Sequence, residues 1–290
     1  MKFIYSLYID IPTKDLDYQR PYSGDDIPKT ERTKLQFIEH YDRLKKAHQQ
    51  YAYDISTEYE LFEYDDSYKE FHTVFKKKYP MVTEYCIVNF YKIHLLYELS
   101  KHYDEILYLD FDVIPVTDEN FFEVWDLDKG IAILNNNNDR GLKLKHNIPY
   151  DALRSSNRSP VAKYWNCKAM LFESGHSIEN DVFNTGIIGT NKLHLDKLDY
   201  FGNFDKIIEL MTNIKNDDTF YPKEVRDMFG YDNETIWSYK TKVNKVKTQW
   251  LNDEWHYFYD PRSDYIPKKS KFIHCINKKF DNVWQFKSNI

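Results

Sequence analysis

Short apolar runs alternate with amphipathic stretches along most of this chain, and that alternation predicts its elements. Residues 2–9 are rich in aromatic and β-branched side chains and predict a buried first strand. Leu35, Ile38, Tyr41, Leu44 and Ala47 then recur every third residue between Lys, Arg, Glu and Gln, which predicts an amphipathic helix from about Glu31 to Tyr51. Glu58 to Tyr64 predicts a strand, and Ser67 to Tyr79 a helix stopped by Pro80. Thr83 caps a longer helix through Ile87, Val88, Tyr91, Leu95 and Leu99 to about His102. It feeds the apolar run that begins at Glu105. Strand–helix–strand–helix–strand is the doubly wound α/β pattern. Further on, Thr117 or Asp118 caps a short helix through Trp125, and Ile131 to Leu134 and Val182 to Thr190 predict strands. Leu195 to Ile214 and Glu234 to Tyr239 predict helices, and Val246 to Leu251 and Lys271 to Ile276 late strands.

The chain is organised around Glu105-Ile-Leu-Tyr-Leu-Asp110-Phe111-Asp112-Val-Ile-Pro115. Read as one extended strand, it aims Asp110 and Asp112 the same way while Phe111 turns into the core. Two neighbouring carboxylates repel, and burial raises their proton affinity. A divalent cation keeps both ionised, and hard oxygen ligands suit Mn²⁺ or Mg²⁺. Pro115 has no amide donor for a ladder, so the strand stops there. Residues 11–30 hold Pro12, Pro21, Gly24 and Pro28 among charges and predict a loop off the first strand. Open α/β sheets bind nucleotides at such carboxyl ends. Tyr8, Ile9 and Asp10, with Asp110 and Phe111, are therefore the nucleotide-binding candidates.

Composition narrows the classes. With 290 residues, 42% hydrophobic and 17% aromatic, the chain fits one large packed domain over 1–290. The net charge of −6 disfavours nucleic acid as the main ligand. Three scattered cysteines, Cys86, Cys167 and Cys275, point to reduced thiols and a cytoplasmic location, not a disulfide framework. Neither a signal peptide nor an apolar run long enough for a membrane span is apparent. Residues 135–180 begin in a polar tract (Asn135 to Asn138, Asp139, Arg140, then Ser155-Ser156-Asn157-Arg158-Ser159-Pro160), which predicts a loop-rich lid or acceptor region. A homodimer is compatible with a soluble chain of this kind.

Three ordered blocks carry a family resemblance. The first is the Lys92-Ile-His-Leu-Leu helix followed by Tyr108-Leu-Asp110-Phe-Asp112-Val-Ile-Pro-Val, with its Asp-x-Asp (DXD) motif. The second is Phe183-Asn184-Thr185-Gly186-Ile187-Ile188, and the third Phe272-Ile273-His274-Cys275-Ile276-Asn277-Lys278-Lys279. Together these resemble the GT-A glycosyltransferases, in particular the family 8, glycogenin-like group. The resemblance implies a GT-A fold: a Rossmann-like mixed sheet flanked by helices, with a nucleotide-sugar site at the carboxyl ends of the strands. It implies Asp110, Asp112 and His274 as ligands to Mn²⁺ (or Mg²⁺), and Lys92 near donor phosphate or sugar. It further implies a UDP-sugar donor, a glycan or other hydroxyl-bearing acceptor, and retention of anomeric configuration. The family's Gly after the His is Asn277 here, and its following Lys falls on Phe280, with Lys278 or Lys279 as substitutes. Its Asp-Gln pair aligns loosely with Asp232-Asn233-Glu234.

Each candidate has a plainer reading. Lys92 on an apolar helix face can be a snorkelling lysine, and Lys278 and Lys279 can be solvated. Asn184, Thr185 and Gly186 can offer an amide and a hydroxyl to sugar hydroxyls, or mark a strand kink. Asp232 and Glu234 can hold sugar hydroxyls or take the acceptor's proton, or simply favour a helix N-terminus. Two rival functions stand beside the transferase. Leu109-Asp-Phe-Asp-Val also resembles the motif of haloacid-dehalogenase-like phosphatases, with Asp110 as nucleophile, and a nucleotide-sugar-binding module without turnover would keep the same acids.

Overall fold

A computed structural model describes residues 1–15, 26–136, 159–227, 229–259 and 265–288. The fold is mixed α/β. Its main sheet has six strands in the order β2-β1-β3-β6-β5-β7, where these are Glu58–Phe62, Lys2–Leu7, Glu105–Leu109, Phe183–Asn191, Ile131–Asn135 and Thr248–Trp250. A second, three-stranded sheet has the order β4-β9-β8, or Val113–Pro115, Phe272–His274 and Tyr257–Phe258. The chain divides into two compact units: Met1–Leu127 with Gly186–Asn191 and Leu251–Ile290, and Asp128–Thr185 with Lys192–Trp250.

In the first unit, β1 pairs in parallel with β2 and β3, while β3 pairs antiparallel with the Ile187–Asn191 part of β6. The first helix, α1, spans Lys29–Asp54 and buries His40, Leu44, Ala47, His48, Tyr51 and Ala52. Leu35 and Ile38, expected on that face, are 51% and 56% exposed. The reason is geometric. Steps of three residues rotate by about 60° each on a helix of 3.6 residues per turn, so a strict period of three drifts off the buried face. The observed set follows three- and four-residue steps instead.

Helix α2, Asp66–Lys78, is capped by Asp65, whose carboxylate accepts the Tyr68 amide. Helix α3, Glu84–Leu99, is capped as expected by Thr83, which accepts from the Cys86 amide at 3.3 Å. The short α4, Phe121–Val124, is capped by Asn120 and not by Thr117 or Asp118. Phe121 explains a glycine in β6: a Cβ on Gly189 would lie 2.5 Å from the Phe121 ring. The apolar core around β4 and β9 gathers Leu44, Phe111, Ile114, Ile273 and Phe280. Phe280 and two more of its buried side chains, Val283 and Trp284, lie on α10 over Phe280–Lys287.

The stretch from Glu105 to Pro115 is not one strand. β3 ends at Leu109, the chain turns, and β4 joins the second sheet at Val113. The turn is closed by the Val113 amide donating to the Asp110 carbonyl at 2.8 Å. β4 ends at Pro115, where the missing amide places the stop.

In the second unit, β5 pairs in parallel with β7. Helices α5 to α9 span Ser159–Glu173, Lys192–Leu198, Phe204–Asn216, Lys223–Asp227 and Asn233–Val243. The continuous helix expected from Leu195 to Ile214 is thus two helices. Asp199 and Asn203 take left-handed φ values of 45° and 54° around Gly202, and a Cβ on Gly202 would collide with the Asp199 carboxylate. The asparagine run expected to be loop starts in structure: Asn135 belongs to β5, and the Asn136 amide donates to the Val182 carbonyl at 2.8 Å. Residues 137–158 of the expected lid, and 16–25 of the expected nucleotide loop, lie outside the described residues. Among the described residues no helix is long and apolar enough to cross a membrane.

Candidate metal centre

The turn that ends β3 sets the site in the first unit. Phe111 is 3% exposed and its ring packs near Tyr8, Phe37, Tyr41 and His48. With the ring sunk in the core, the flanking Asp110 and Asp112 are thrown to the other side of the turn. The carboxylates do converge, but through a turn and not through strand alternation. Alternation operates one step earlier. Tyr108 and Asp110 share a face, and the Tyr108 hydroxyl donates to Asp110 Oδ1 at 2.5 Å.

The third ligand arrives by register. β4 pairs antiparallel with β9 so that Val113 opposes His274, and the Cys275 amide donates to the Asp112 carbonyl at 2.9 Å. His274 Nε2 then lies 3.5 Å from Asp112 Oδ2 and 3.8 Å from Asp110 Oδ2. One ligand atom from each of Asp110, Asp112 and His274 falls within 4.8 Å of the others. Two carboxylate oxygens and an imidazole nitrogen form a donor set that suits Mn²⁺ or Mg²⁺. The residues fit a divalent cation.

A lysine serves each carboxylate. Lys92 on α3 is 2% exposed, with its ammonium 3.2 Å from Asp110 Oδ1 and 5.1 Å from the Tyr108 ring centroid. It is therefore not a snorkelling surface lysine. Lys278 forms an ion pair with Asp112 Oδ2. It is aimed there by a left-handed backbone, φ 58°, in a turn where its amide donates to the Cys275 carbonyl at 3.0 Å. Burial pushes the Asp112 carboxyl up, but Lys278 and His274 outweigh it and hold it well below the usual carboxylate range. Burial likewise lowers the Lys278 ammonium, and Asp112 more than compensates, holding it above its ordinary value. Burial first, then Asp110, pushes the Tyr108 phenol well up, so it stays a donor. Two acids and two ammoniums balance, and a dication would bring an excess of positive charge suited to a diphosphate.

The other candidates fall as follows. Gly186 meets the end of β3, its carbonyl accepting the Asp110 amide at 2.7 Å. Tyr8 is half-buried, and burial, with Asp10 and Glu63, pushes its phenol up to about 12. Ile9 is buried, and Asp10 is exposed and paired with Lys34 at 2.8 Å. Phe111 could meet a ligand only through its main chain. The Lys279 amide donates to Asn277 Oδ1 at 3.0 Å and opens α10.

In the second unit Asn184 is half-buried, and Thr185, 1% exposed, meets α9. Glu234 Oε1 accepts the Thr185 amide at 2.8 Å and its hydroxyl at 3.3 Å, and Oε2 is paired with Lys163. Asn233 Nδ2 donates to Thr185 Oγ1 at 2.8 Å. Asp232 caps α9, accepting from the Thr235 amide and hydroxyl at 2.9 and 2.7 Å. Sequence reasoning did not single out Tyr108, Lys163 or His256. Only Tyr108 carried a signal, its two-residue spacing from Asp110 on a strand.

No protein-family model matches the chain. No curated protein matches it either. Among solved structures, it is similar to a glycosyltransferase involved in glycosylating the major capsid of PBCV-1, with 11% identity over 99% of this chain and 98% of that one, at a TM-score of 0.43. It is also similar to the galactosyltransferase LgtC in complex with donor and acceptor sugar analogues, with 11% identity over 100% and 96% of the two chains, at 0.47. Mouse xyloside xylosyltransferase 1 shows 10% identity over 76% of each chain, at 0.40. Each of these TM-scores is below 0.5, so the functional reading rests on this chain's own residues.

Proposed function

We propose that this chain is a metal-dependent GT-A glycosyltransferase, with residues 1–290 acting as one transferase domain on a nucleotide-sugar donor, a UDP-hexose in the first instance. The observation that carries the reading is the meeting of Asp110, Asp112 and His274 within 4.8 Å, with Lys92 and Lys278 each on one of the carboxylates. Transfer of a sugar from a nucleoside diphosphate breaks the anomeric C–O bond and leaves negative charge on the departing diphosphate. Asp110, Asp112 and His274 would hold a divalent cation, which supplies Lewis-acid stabilisation of that charge. Lys92 and Lys278, held on the two carboxylates, would act as fixed cations toward a diphosphate and cost no reorganisation as charge develops. Tyr108 and the Gly186 carbonyl hold Asp110 in place from its side chain and its main chain. Retention at the anomeric carbon and a glycan, protein or other hydroxyl acceptor follow from the motif resemblance.

The test is a panel of UDP- and GDP-sugars with Mn²⁺, followed by nucleotide release, with a generic phosphate ester run alongside. Release from a UDP-hexose that stops with EDTA supports the reading. Ester hydrolysis without nucleotide-sugar turnover would instead establish the phosphatase. Thermal stabilisation by Mn²⁺ and UDP without release of sugar would establish a binding module.

A further inference from the structure

On the side of α1 turned away from its buried Leu44, Ala47, His48 and Tyr51, the residues Lys46, Gln49, Gln50 and Tyr53 recur at three- and four-residue steps. That spacing sets them on one face of the helix. The chain then reverses sharply. Ser56 takes a left-handed φ of 54°, and the Thr57 amide donates to the Ala52 carbonyl at 2.8 Å, so β2 starts beside the last turn of α1. The two elements enclose an open cleft of about 520 Å³, lined by that helix face and by Thr57 and Tyr59. Its size is within the range of small-ligand sites, about 300–1,000 Å³. The cleft lies in the first unit and shares no residue with the metal centre.

Its lining offers two phenol rings, two primary amides, a hydroxyl and one ammonium, and no carboxylate. Tyr53 is 80% exposed, more than any other large hydrophobic side chain described. Among the described residues the side chains of Lys46, Gln49 and Tyr53 have no hydrogen bond, ion pair or ring partner. Gln50 donates to Asp54 Oδ1 at 2.7 Å and keeps its carbonyl oxygen to accept. Tyr59 lends its ring alone, since that ring lies 5.7 Å from the His48 ring and its hydroxyl is buried.

These groups match one class of ligand. A pyranose has an apolar C–H face and hydroxyls that both donate and accept. An exposed tyrosine face covers the first, and a primary amide answers the second because it also does both. A lone ammonium with no acid in the lining, on a chain of net charge −6, is a local partner for a negative group. A nucleic acid would call for a row of cations, and the lining has one. We propose that the cleft is a docking site for an acidic oligosaccharide, with a sugar ring on Tyr53, hydroxyls on Gln49, Gln50 and Thr57, and a carboxylate on Lys46. The consequence for turnover rests on the transferase reading above. A long acceptor held at the cleft reaches a higher effective concentration at the metal centre of the same unit, with no contact to the reacting atoms.

The experiment titrates full-length protein by calorimetry, in EDTA and without nucleotide, so that the metal centre plays no part. Hexagalacturonate and hexamannuronate are the acidic probes and maltohexaose the neutral one. An acidic hexamer is expected to bind about tenfold more tightly than maltohexaose at low salt, with the gap closing as salt rises. Tyr53→Ala and Lys46→Met should each weaken that binding about tenfold, at an unchanged melting midpoint because both side chains are exposed. Binding of the acidic hexamer that survives both substitutions would overturn the proposal, as would no binding of either acidic hexamer at millimolar concentration. Maltohexaose bound as tightly as the acidic chains, and indifferent to Lys46→Met, would overturn the assignment of an acidic ligand. In turnover, Tyr53→Ala should match the parent on a monosaccharide acceptor and raise KM for a long acidic one. A parent that binds the hexamer through Tyr53 and Lys46 but transfers no sugar overturns the transferase reading and leaves the docking site standing. An active transferase whose two variants bind like the parent does the reverse.

Discussion

Two acidic clusters in this chain look alike in composition and differ in what they leave undone. In the first unit, Asp110 and Asp112 each have a lysine, yet their oxygens also converge with His274 Nε2 on one point. In the second unit, Glu234 has its own lysine, Lys163, and spends its other oxygen on the Thr185 amide and hydroxyl. The second cluster is a closed account of donors and acceptors. The first is balanced in charge but not in coordination. Three ligand atoms converging where two would satisfy the local ion pairs is the signature of a site, and saturation is the signature of a scaffold. This is why Glu234, an attractive acid on sequence grounds, is a poor candidate for taking an acceptor's proton.

The largest effect should come from emptying the first cluster. Asp112→Asn removes a ligand charge while keeping shape, and Mn²⁺-dependent nucleotide release should fall at least about 10³-fold, or about 4 kcal/mol of barrier. EDTA should abolish release by the parent protein and leave nothing further to lose in the variant. Glu234→Gln is the counterpart. It should lower stability and leave turnover by the folded fraction within a few-fold. A collapse of turnover at unchanged stability in Glu234→Gln would erase the distinction between the clusters.

Removing the lysines sharpens the same contrast. Lys278→Met and Lys163→Met each strand a buried carboxylate, and breaking such a pair costs about 3–5 kcal/mol. Urea denaturation should show comparable losses without metal. Mn²⁺ should then restore much of the loss in Lys278→Met, because a dication replaces the missing charge beside Asp112, and none of it in Lys163→Met. Equal rescue of both, or of neither, would count against a cation site defined by Asp110, Asp112 and His274.

How much of this was legible in the sequence depends on how local the signal is. β3, the capped α3, and the meeting of Asp110, Asp112 and His274 follow from apolar runs and motif order. The reason for the meeting does not, since nothing between Leu109 and Val113 announces a change of sheet; the buried Phe111 and the closing hydrogen bond from Val113 do that work in three dimensions. Helix α5 was legible in principle. Val161, Tyr164, Cys167, Met170 and Leu171 are all buried at helical spacing, but they follow a polar tract that draws the eye to a loop. His256 was not legible. Its contact with His274 depends on β8 lying in register with β9, and a two-residue strand leaves no period to read.

The smallest predicted effect concerns acid, and it separates the regions by a different lever. His48 on α1 is fully buried behind the Asp110–Val113 turn, with Nδ1 2.8 Å from Ser6 Oγ and its ring near those of Tyr59 and Phe111. Burial is the main cause that lowers its value from 6.5 to about 3, and the charges of Lys287 and Asp112 act on it in opposite directions. A depressed folded value means that the unfolded chain binds the proton first. The stability contributed by the neutral ring is therefore complete above about 6.5 and is lost as pH falls toward about 3. One such group gives a slope of at most about 1.4 kcal/mol per pH unit. Urea midpoints measured from pH 7 to pH 4 should fall accordingly in the parent protein and flatten in His48→Gln, which keeps a polar partner for Ser6 but cannot titrate. Parallel curves for the two proteins would show that the histidine behind the turn is not what acid acts upon.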